Sequence, residues 1–377
     1  MGRLTRAQAQ ERNRARVLAA ARSEFAERGY RDARVDDIAA RAELTRGAVY
    51  SNFPGKRALY FAVLAEEALA EPVGEAEPGA TVPEALAALA RAWVTRLPLV
   101  SDERHGAARL GTALLAEVSA DEAVRAAYAQ LLKLQAVTLG LALEALESPG
   151  PPDPPERPER PDRPHRGGPR RVRLAEAALT LLHGAGQLAS AAPGFVEPFD
   201  VIGACAGLAT LDLGDHRLPP QAAATARAVD EPWAPPPAPD LLADRPCDWP
   251  EHGVVAVLGV RHLAAVEQAL RTGHQVTAVV VMSEPAELAP LVRLAVADLR
   301  NHLRRAFPPH TWPPLRVLCD EHGAVARAVG VTDPGDATQA AALMTGNRIV
   351  ARASGYGACH VVAAQDAIRP RRTARRP

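Results

Sequence analysis

Lysine is almost missing from this sequence: among 44 basic residues only Lys56 and Lys133 are lysines, and the others are arginine. Aromatic residues supply 4% of the 377 positions, which argues against a pocket walled by stacked rings. The four cysteines (Cys205, Cys247, Cys319 and Cys359) lie far apart and form no C-x-x-C pair. That spacing excludes a disulfide framework or a zinc cluster as the expectation, and fits reduced thiols in a cytoplasmic protein. No run of ~18 apolar residues is present, so no membrane span is expected. The arginine-rich start lacks an apolar stretch and does not read as a signal peptide. Seven histidines beyond residue 250 are scattered without ligand-like spacing, so no metal is expected. Net charge is lacking too: 44 bases balance 44 acids, and interest shifts to how the charges are distributed. The length exceeds one ordinary domain, so two or three are expected.

The distribution is uneven. Residues 1–60 carry 13 Lys+Arg against 7 Asp+Glu, a local balance of +6. A basic end on a neutral chain is an electrostatic footprint for nucleic acid. Gln8 to Arg28 reads as a helix with Val17, Leu18, Ala21 and Phe25 on one face, and Gly29 is placed to end it in a left-handed cap. A second helix fits Val35 to Ala42, burying Val35, Ile38 and Ala39. Thr45 is suited to cap a third helix, about Arg46 to Asn52. Pro54 stops it, because proline disfavours helical geometry at Phe53 and has no N–H to donate. A fourth helix begins near Gly55 and runs through Leu69. Two helices joined by a tight turn, the second short and polar on one side, make a helix-turn-helix.

Within TRGAVYSNFPGKRALY (Thr45 to Tyr60), each residue type has a use against a phosphodiester. Gly47 lacks a Cβ and allows close approach. The hydroxyls of Thr45 and Tyr50 suit phosphate oxygens, which set register without reading sequence. Arg46 can contact guanine through two hydrogen bonds, worth ~1–3 kcal/mol of discrimination. Lys56 adds a charge at a helix start whose free N–H groups favour anions. The plain alternatives are that Arg46 and Arg57 are solvated charges and that Tyr50 is a packing residue.

The stretch VDDIAARAELTRGAVYSNFPGKRALY resembles the signature of the TetR family of bacterial transcriptional regulators, over roughly residues 10 to 65 and more loosely to about 215. The resemblance implies that Thr45, Arg46, Gly47, Ala48, Tyr50, Ser51 and Asn52 face DNA, with Lys56 at a phosphate-contact position. Where the family usually has Ser or Thr before the second helix, this chain has Arg34, so a guanidinium would have to replace that contact. The resemblance further implies an all-α effector-binding domain and a dimer built on the last two helices, where Ala178, Ala185, Gly203 and Gly207 would permit close approach. A near-palindromic double-stranded operator matches such a dimer.

Helical periodicity continues through 82–147 and through Val172–Ala191 and Phe199–Leu211. Trp93, His105, Tyr128 and Gln135 are the polar or aromatic residues suited to line a cavity for an unknown small-molecule effector. Between these helices the proline- and charge-rich run Ser148 to Arg171 cannot bury apolar area and reads as a solvated insert. Pro219 to Pro250 reads as a second linker.

Beyond it the pattern changes. Val254–Leu258, Val276–Met282, Leu315–Cys319 and Ile349–Ala353 read as strands, alternating with helices over His262–Arg271, Ala286–Phe307 and Gly323–Val329. The runs LRVLCDEHGAVARAVGV and NRIVARASGYG resemble the second half of a thioredoxin-like or peroxiredoxin-like domain. Such enzymes place a catalytic cysteine after the first strand, where this chain has Gly259, Val260, Arg261 and His262. Dithiol exchange is therefore not expected.

The expected architecture is mainly α. It comprises a helix-turn-helix three-helix unit (1–60), an all-α effector-binding and dimerisation domain (61–215, with the insert 148–171), a linker (216–250), a small α/β thioredoxin-like domain (251–368) and a basic tail (369–377). The expected function is a ligand-responsive, dimeric, DNA-binding regulator, a repressor, with no catalytic residues, no cofactor and no membrane association. The alternatives are a redox enzyme or sensor acting through the C-terminal domain, with Cys319 or Cys359 as the responsive thiol, or that domain as a protein-interaction module.

Overall fold

The computed structural model describes residues 5–71, 77–97, 110–147, 170–215 and 221–365. The insert 148–171, apart from Arg170 and Arg171, and the tail 369–377 lie outside the described residues. Two compact units are present. One combines Met1–Asp121, Gln135–Arg217 and Ala297–Pro313; the other combines Glu122–Leu134, Leu218–Val296 and Pro314–Pro377. The contiguous domains expected from the sequence are thus interleaved, because residues 297–313 fold with the helical unit and 122–134 with the sheet-containing one.

The helical unit begins with α1 (Arg6–Asp32), entered through a capping box in which Thr5 and Gln8 bond each other's backbone N–H. Gly29, at φ 76°, breaks its helical geometry. α2 (Val35–Arg41) buries Ile38 and Ala39, and α3 (Arg46–Tyr50) buries Val49. α4 (Lys56–Ala70) buries every residue from Ala58 to Ala65. Tyr60 packs its ring 5.4 Å from Phe25 and 4.7 Å from Tyr30, and its hydroxyl donates to the Leu110 carbonyl. A fully buried aromatic of this kind stabilises by ~1.5–3 kcal/mol through area alone, and the satisfied hydroxyl avoids the desolvation penalty.

The unit continues with α5 (Val82–Val94), α6 (Leu114–Ser119), residues 135–147 of α7 (Glu122–Glu147), α8 (Val172–Ala191) and α9 (Pro198–Gly207). α9 lies against α5. α7 and α8 meet closely at Gly140, where a Cβ would come 2.7 Å from the Val172 backbone. By length and composition α7 could cross a membrane, at mean hydropathy 1.3, although no continuous apolar run marks it in the sequence. Most of that window is buried inside the protein (61%), as in the core helix of a globular domain.

The second unit is α/β. Its sheet has six strands in the order β1-β8-β7-β4-β5-β6: β1 (Arg227–Pro232), β4 (His252–Gly259), β5 (Val276–Val281), β6 (Leu315–Cys319), β7 (Gln339–Thr345) and β8 (Arg348–Ser354). β4, β5 and β6 run parallel, whereas β7, β8 and β1 add on antiparallel. The runs VVAVL and VTAVVV are buried throughout, as central parallel strands covered on both faces should be. β8 alternates buried and part-exposed residues, the period of a half-covered strand. α10 (Val266–Leu270), residues 285–296 of α11 (Pro285–Ala306), α12 (Ala324–Ala328) and α13 (Ala358–Ala363) complete the unit.

Of the expected linker 216–250, the described residues 221–250 are not a linker. β1 forms an edge of the sheet, and β2 (Pro239–Asp240) pairs with β3 (Arg245–Pro246). Trp233 enters the core beside Val255, Val257 and Ile349. Asp240 accepts from the N–H of Leu242 and of Val317, at 3.0 and 3.1 Å. Proline is tolerated there because these are edge and terminal positions that need not donate. The α/β character holds for the unit, while its thioredoxin-like assignment has only the local likeness of sequence behind it.

Candidate nucleic-acid interface

The helix-turn-helix is assembled by short-range chemistry. The Ala42–Leu44 turn passes through Glu43 at φ 50°. Thr45 is extended and its hydroxyl oxygen accepts from the Ala48 N–H at 3.2 Å, the capping role read from the sequence. α3 is shorter than expected, ending at Tyr50, and Ser51 and Asn52 form the turn before Pro54. Buried Val49 and Phe53 hold α3 down, the latter under the Arg14 guanidinium at 4.6 Å. Thr45, Arg46, Gly47, Tyr50 and Ser51 stay exposed and Ala48 half-exposed.

Several of these side chains already have partners. Arg46 pairs with Asp36 of α2 at 3.2 Å and lies over the Tyr50 ring at 5.5 Å. Ser51 donates to the Ala48 carbonyl at 2.9 Å, and the Asn52 amide donates to the same oxygen at 2.8 Å. Lys56 opens α4, donates to the Arg31 carbonyl at 3.1 Å and sits 4.5 Å from the Tyr30 ring centre. Its partial burial pulls the ammonium pKa below the ordinary lysine value. Gly55, the N-cap of α4, offers no capping side chain, which leaves first-turn N–H groups for an anion. Arg34 stands at the N-cap of α2 without a side-chain cap bond, as the departure from Ser or Thr implied.

Charge at this end is partly neutralised. Arg16 pairs with Glu43, Arg22 with Glu67, Arg28 with Glu24 and Asp37, and Arg41 with Glu24 and Glu27. Arg12, Arg31 and Arg34 are exposed and make no ion pair among the described residues. Two features of this end were not foreseen from sequence: the Asp36–Arg46 pair and the Tyr30 shelf beneath Lys56. Two adjacent acids at the start of α2 were the available signal for the first; the second depends on the bend at Gly29.

The four residues suggested for an effector cavity do not converge in one unit. Trp93 stacks on His302 (5.4 Å) and meets His183 in a tilted contact (4.6 Å), so imidazoles occupy the space around its ring. Gln135 is buried in the same unit; Tyr128 belongs to the segment 122–134 of the other. His105 lies outside the described residues.

Residues 17–63 match the model of the family described as bacterial regulatory proteins, tetR family. Over 65 residues the chain is 48% identical to the HTH-type transcriptional regulator SrpR of Pseudomonas putida, covering 17% of this chain and 30% of the relative. It is 48% identical over 65 residues to the uncharacterized HTH-type transcriptional regulator TtgW, also of Pseudomonas putida, covering 17% of this chain and 48% of that protein. The match therefore spans less than half the length of either relative. A crystal structure of a TetR transcriptional regulator from Rhodococcus sp. RHA1 aligns with 54% of this chain and 99% of that one, at 20% identity and a TM-score of 0.32. The helix-turn-helix at residues 17–63 is of the TetR type.

Proposed function

We propose that the chain is a ligand-responsive transcriptional regulator of the TetR type, acting as a repressor that binds a near-palindromic operator as a dimer. The observation that carries the reading is the Thr45-capped α3, held down by Val49 and Phe53 with Arg46, Gly47 and Tyr50 exposed, in a segment that matches the TetR family. Arg46 is the base-reading side chain, released from Asp36 on binding. Thr45, Tyr50 and Ser51 address the sugar-phosphate wall, with Gly47 and Ala48 small enough to let it approach. Arg34 and Lys56 flank them as phosphate contacts. Asn52 positions the turn, since its amide is spent on Ala48.

A dimer is supported by apolar side chains left exposed on the last two helices of the helical unit and on the turn between them. Leu188, Phe195 and Phe199 are exposed at 47%, 71% and 81%, and Gly184, Gly203 and Gly207 have open space where a Cβ would stand. Ala178 and Ala185 are instead buried within their own unit, so the glycines are what would admit a second helix. An effector would act by differential affinity for two arrangements of the reading helices. Trp93 and Gln135 remain its candidate contacts.

Enzymatic redox chemistry is disfavoured. At the end of β4, Gly259 is pressed against the Asp336 carbonyl, where a Cβ would come within 2.2 Å. No larger side chain fits at that position. Burial raises the thiols of Cys319 and Cys359 to about 12, leaving almost no thiolate at neutral pH. The test is a mobility-shift assay on the protein's own promoter. Arg46→Ala should lose discrimination between sites, whereas Lys56→Ala should weaken all sites alike. Equal loss for both variants on every sequence would contradict the assigned roles.

A further inference from the structure

α4 joins the DNA-reading end to the helical body. Its C-cap, Glu71, is extended and precedes Pro72, which stops the helix but satisfies none of its last carbonyls. The last four carbonyls of a helix have no partner within it. Here two of them are satisfied by residues more than two hundred positions later. The Asn301 amide donates to the Ala68 carbonyl at 2.7 Å, and Arg300 donates to the Leu69 carbonyl at 3.2 Å. Arg305 bonds Glu71 at 2.8 Å, and Asn301 reaches the same carboxylate at 3.3 Å.

The residues providing these bonds are themselves fixed. Arg300, Asn301 and His302 are 3%, 2% and 2% exposed. Arg96 grips Asp298 through two bonds of 2.8 and 3.0 Å and also approaches Glu71 at 3.3 Å. The His302 ring stacks on Trp93, and the Gly79 N–H donates to the Ala306 carbonyl at 3.1 Å. Every one of these residues belongs to the helical unit. Cationic side chains at a helix C-terminus also oppose its negative dipole end. The result is a C-cap supplied from residues 298–306, themselves buried or bonded within the same unit.

We infer that Arg300, Asn301 and Arg305 are positioning residues for DNA binding: they clamp the far end of α4 and thereby set the orientation of α3. α4 is the lever because its other end carries Lys56 and, through Tyr60, the aromatic packing of α1. A lever fixed at one end only would sample several head orientations, and specific affinity falls by the fraction of molecules in the competent one. Contacts that neutralise phosphates without regard to sequence need no such orientation. The inference rests on the DNA-binding reading above, and the two can fail separately.

The test uses the full chain and the variants Asn301→Leu and Arg305→Gln. Hydrogen exchange is followed over residues 62–71. Binding is measured by fluorescence anisotropy to a duplex carrying the near-palindrome of the chain's own promoter and to a scrambled duplex of equal composition. Both variants should exchange at least about tenfold faster at the end of α4, bind the near-palindrome at least about fivefold more weakly, and bind the scrambled duplex within about twofold of the parent. Unchanged exchange would overturn the clamp. Faster exchange with unchanged specific affinity, or equal losses on both duplexes, would overturn the positioning role. Arg305→Gln, whose side chain is partly exposed, carries the test if Asn301→Leu does not fold. A parent that does not distinguish the duplexes would remove the DNA reading itself, and that result is visible before any variant is made.

Discussion

Replacing Asp36 with asparagine should tighten DNA binding. In the free protein Asp36 and Arg46 form an ion pair at 3.2 Å with side chains 64% and 61% exposed. Arg46 must leave that pair before it can reach a base edge. An exposed pair of this kind is weak and screened by solvent, so removing it should strengthen binding by no more than about fivefold. Loss of an acid beside the phosphates acts in the same direction. Asp36 also lies in the first turn of α2, where its charge favours the helix by ~0.3–1 kcal/mol. A thermal melt must therefore accompany the binding curves. The assay is anisotropy against the near-palindromic duplex, run as a double-mutant cycle with Arg46→Ala. The gain from Asp36→Asn should shrink in the Arg46→Ala background. An undiminished gain there, or weaker binding by Asp36→Asn in a protein that still melts normally, would refute the role given to Arg46.

Gly140→Ala should destabilise the helical unit by ~1–3 kcal/mol, because the new methyl would meet the Val172 backbone at 2.7 Å and backbone cannot rotate away; a circular-dichroism melt reads the effect. Trp233→Ala should cost the α/β unit ~3–5 kcal/mol, since Trp233 is core; denaturant unfolding that shows no change would restore the linker. Acidification should weaken the helical unit. Burial, with Arg96, His183 and Arg305 nearby, holds His302 well below its ordinary 6.5, and burial lowers His183. The unfolded chain then takes up protons first, so stability held above about 6.5 falls as pH drops below it, by up to ~1.4 kcal/mol per pH unit for each histidine. Asp298, raised by burial from an ordinary 3.8, gives the opposite slope at the acid end, so the dependence is read just below 6.5. His302→Phe should flatten it in urea titrations across pH.

The DNA-reading end was legible in sequence because each of its signals acts over a few residues. A threonine cap and a proline stop act within one turn of chain and stand where they were expected; Gly29 has the expected positive φ but, at ψ 167°, kinks α1 instead of closing it in a left-handed cap, and the helix runs on to Asp32. The apolar runs of β4 and β5 were equally plain, since strands buried on both faces need no alternation. β7 was missed. Its QAAALMT has three alanines and no β-branched residue before Thr345, and its strand character comes from pairing with β4 and β8. Proline content disguised β1 and the burial of Trp233. The least legible feature was the partner of α4: no local pattern says that Asn301 would cap Ala68, which depends on contacts across more than two hundred residues. Within the proposed interface, sequence could not show that Arg46 and Lys56 are already held by Asp36 and by the Arg31 carbonyl.

The central claim is that α3 and the start of α4 read DNA. It is tested most directly by a salt titration of anisotropy on the near-palindromic and scrambled duplexes. Binding to the near-palindrome should be tighter at every salt concentration, with log affinity falling linearly in log salt at a slope of about −0.9 per phosphate neutralised. Arg46→Ala should bring the two duplexes together. Equal affinity of the unaltered protein for both duplexes, or binding indifferent to salt, would contradict it.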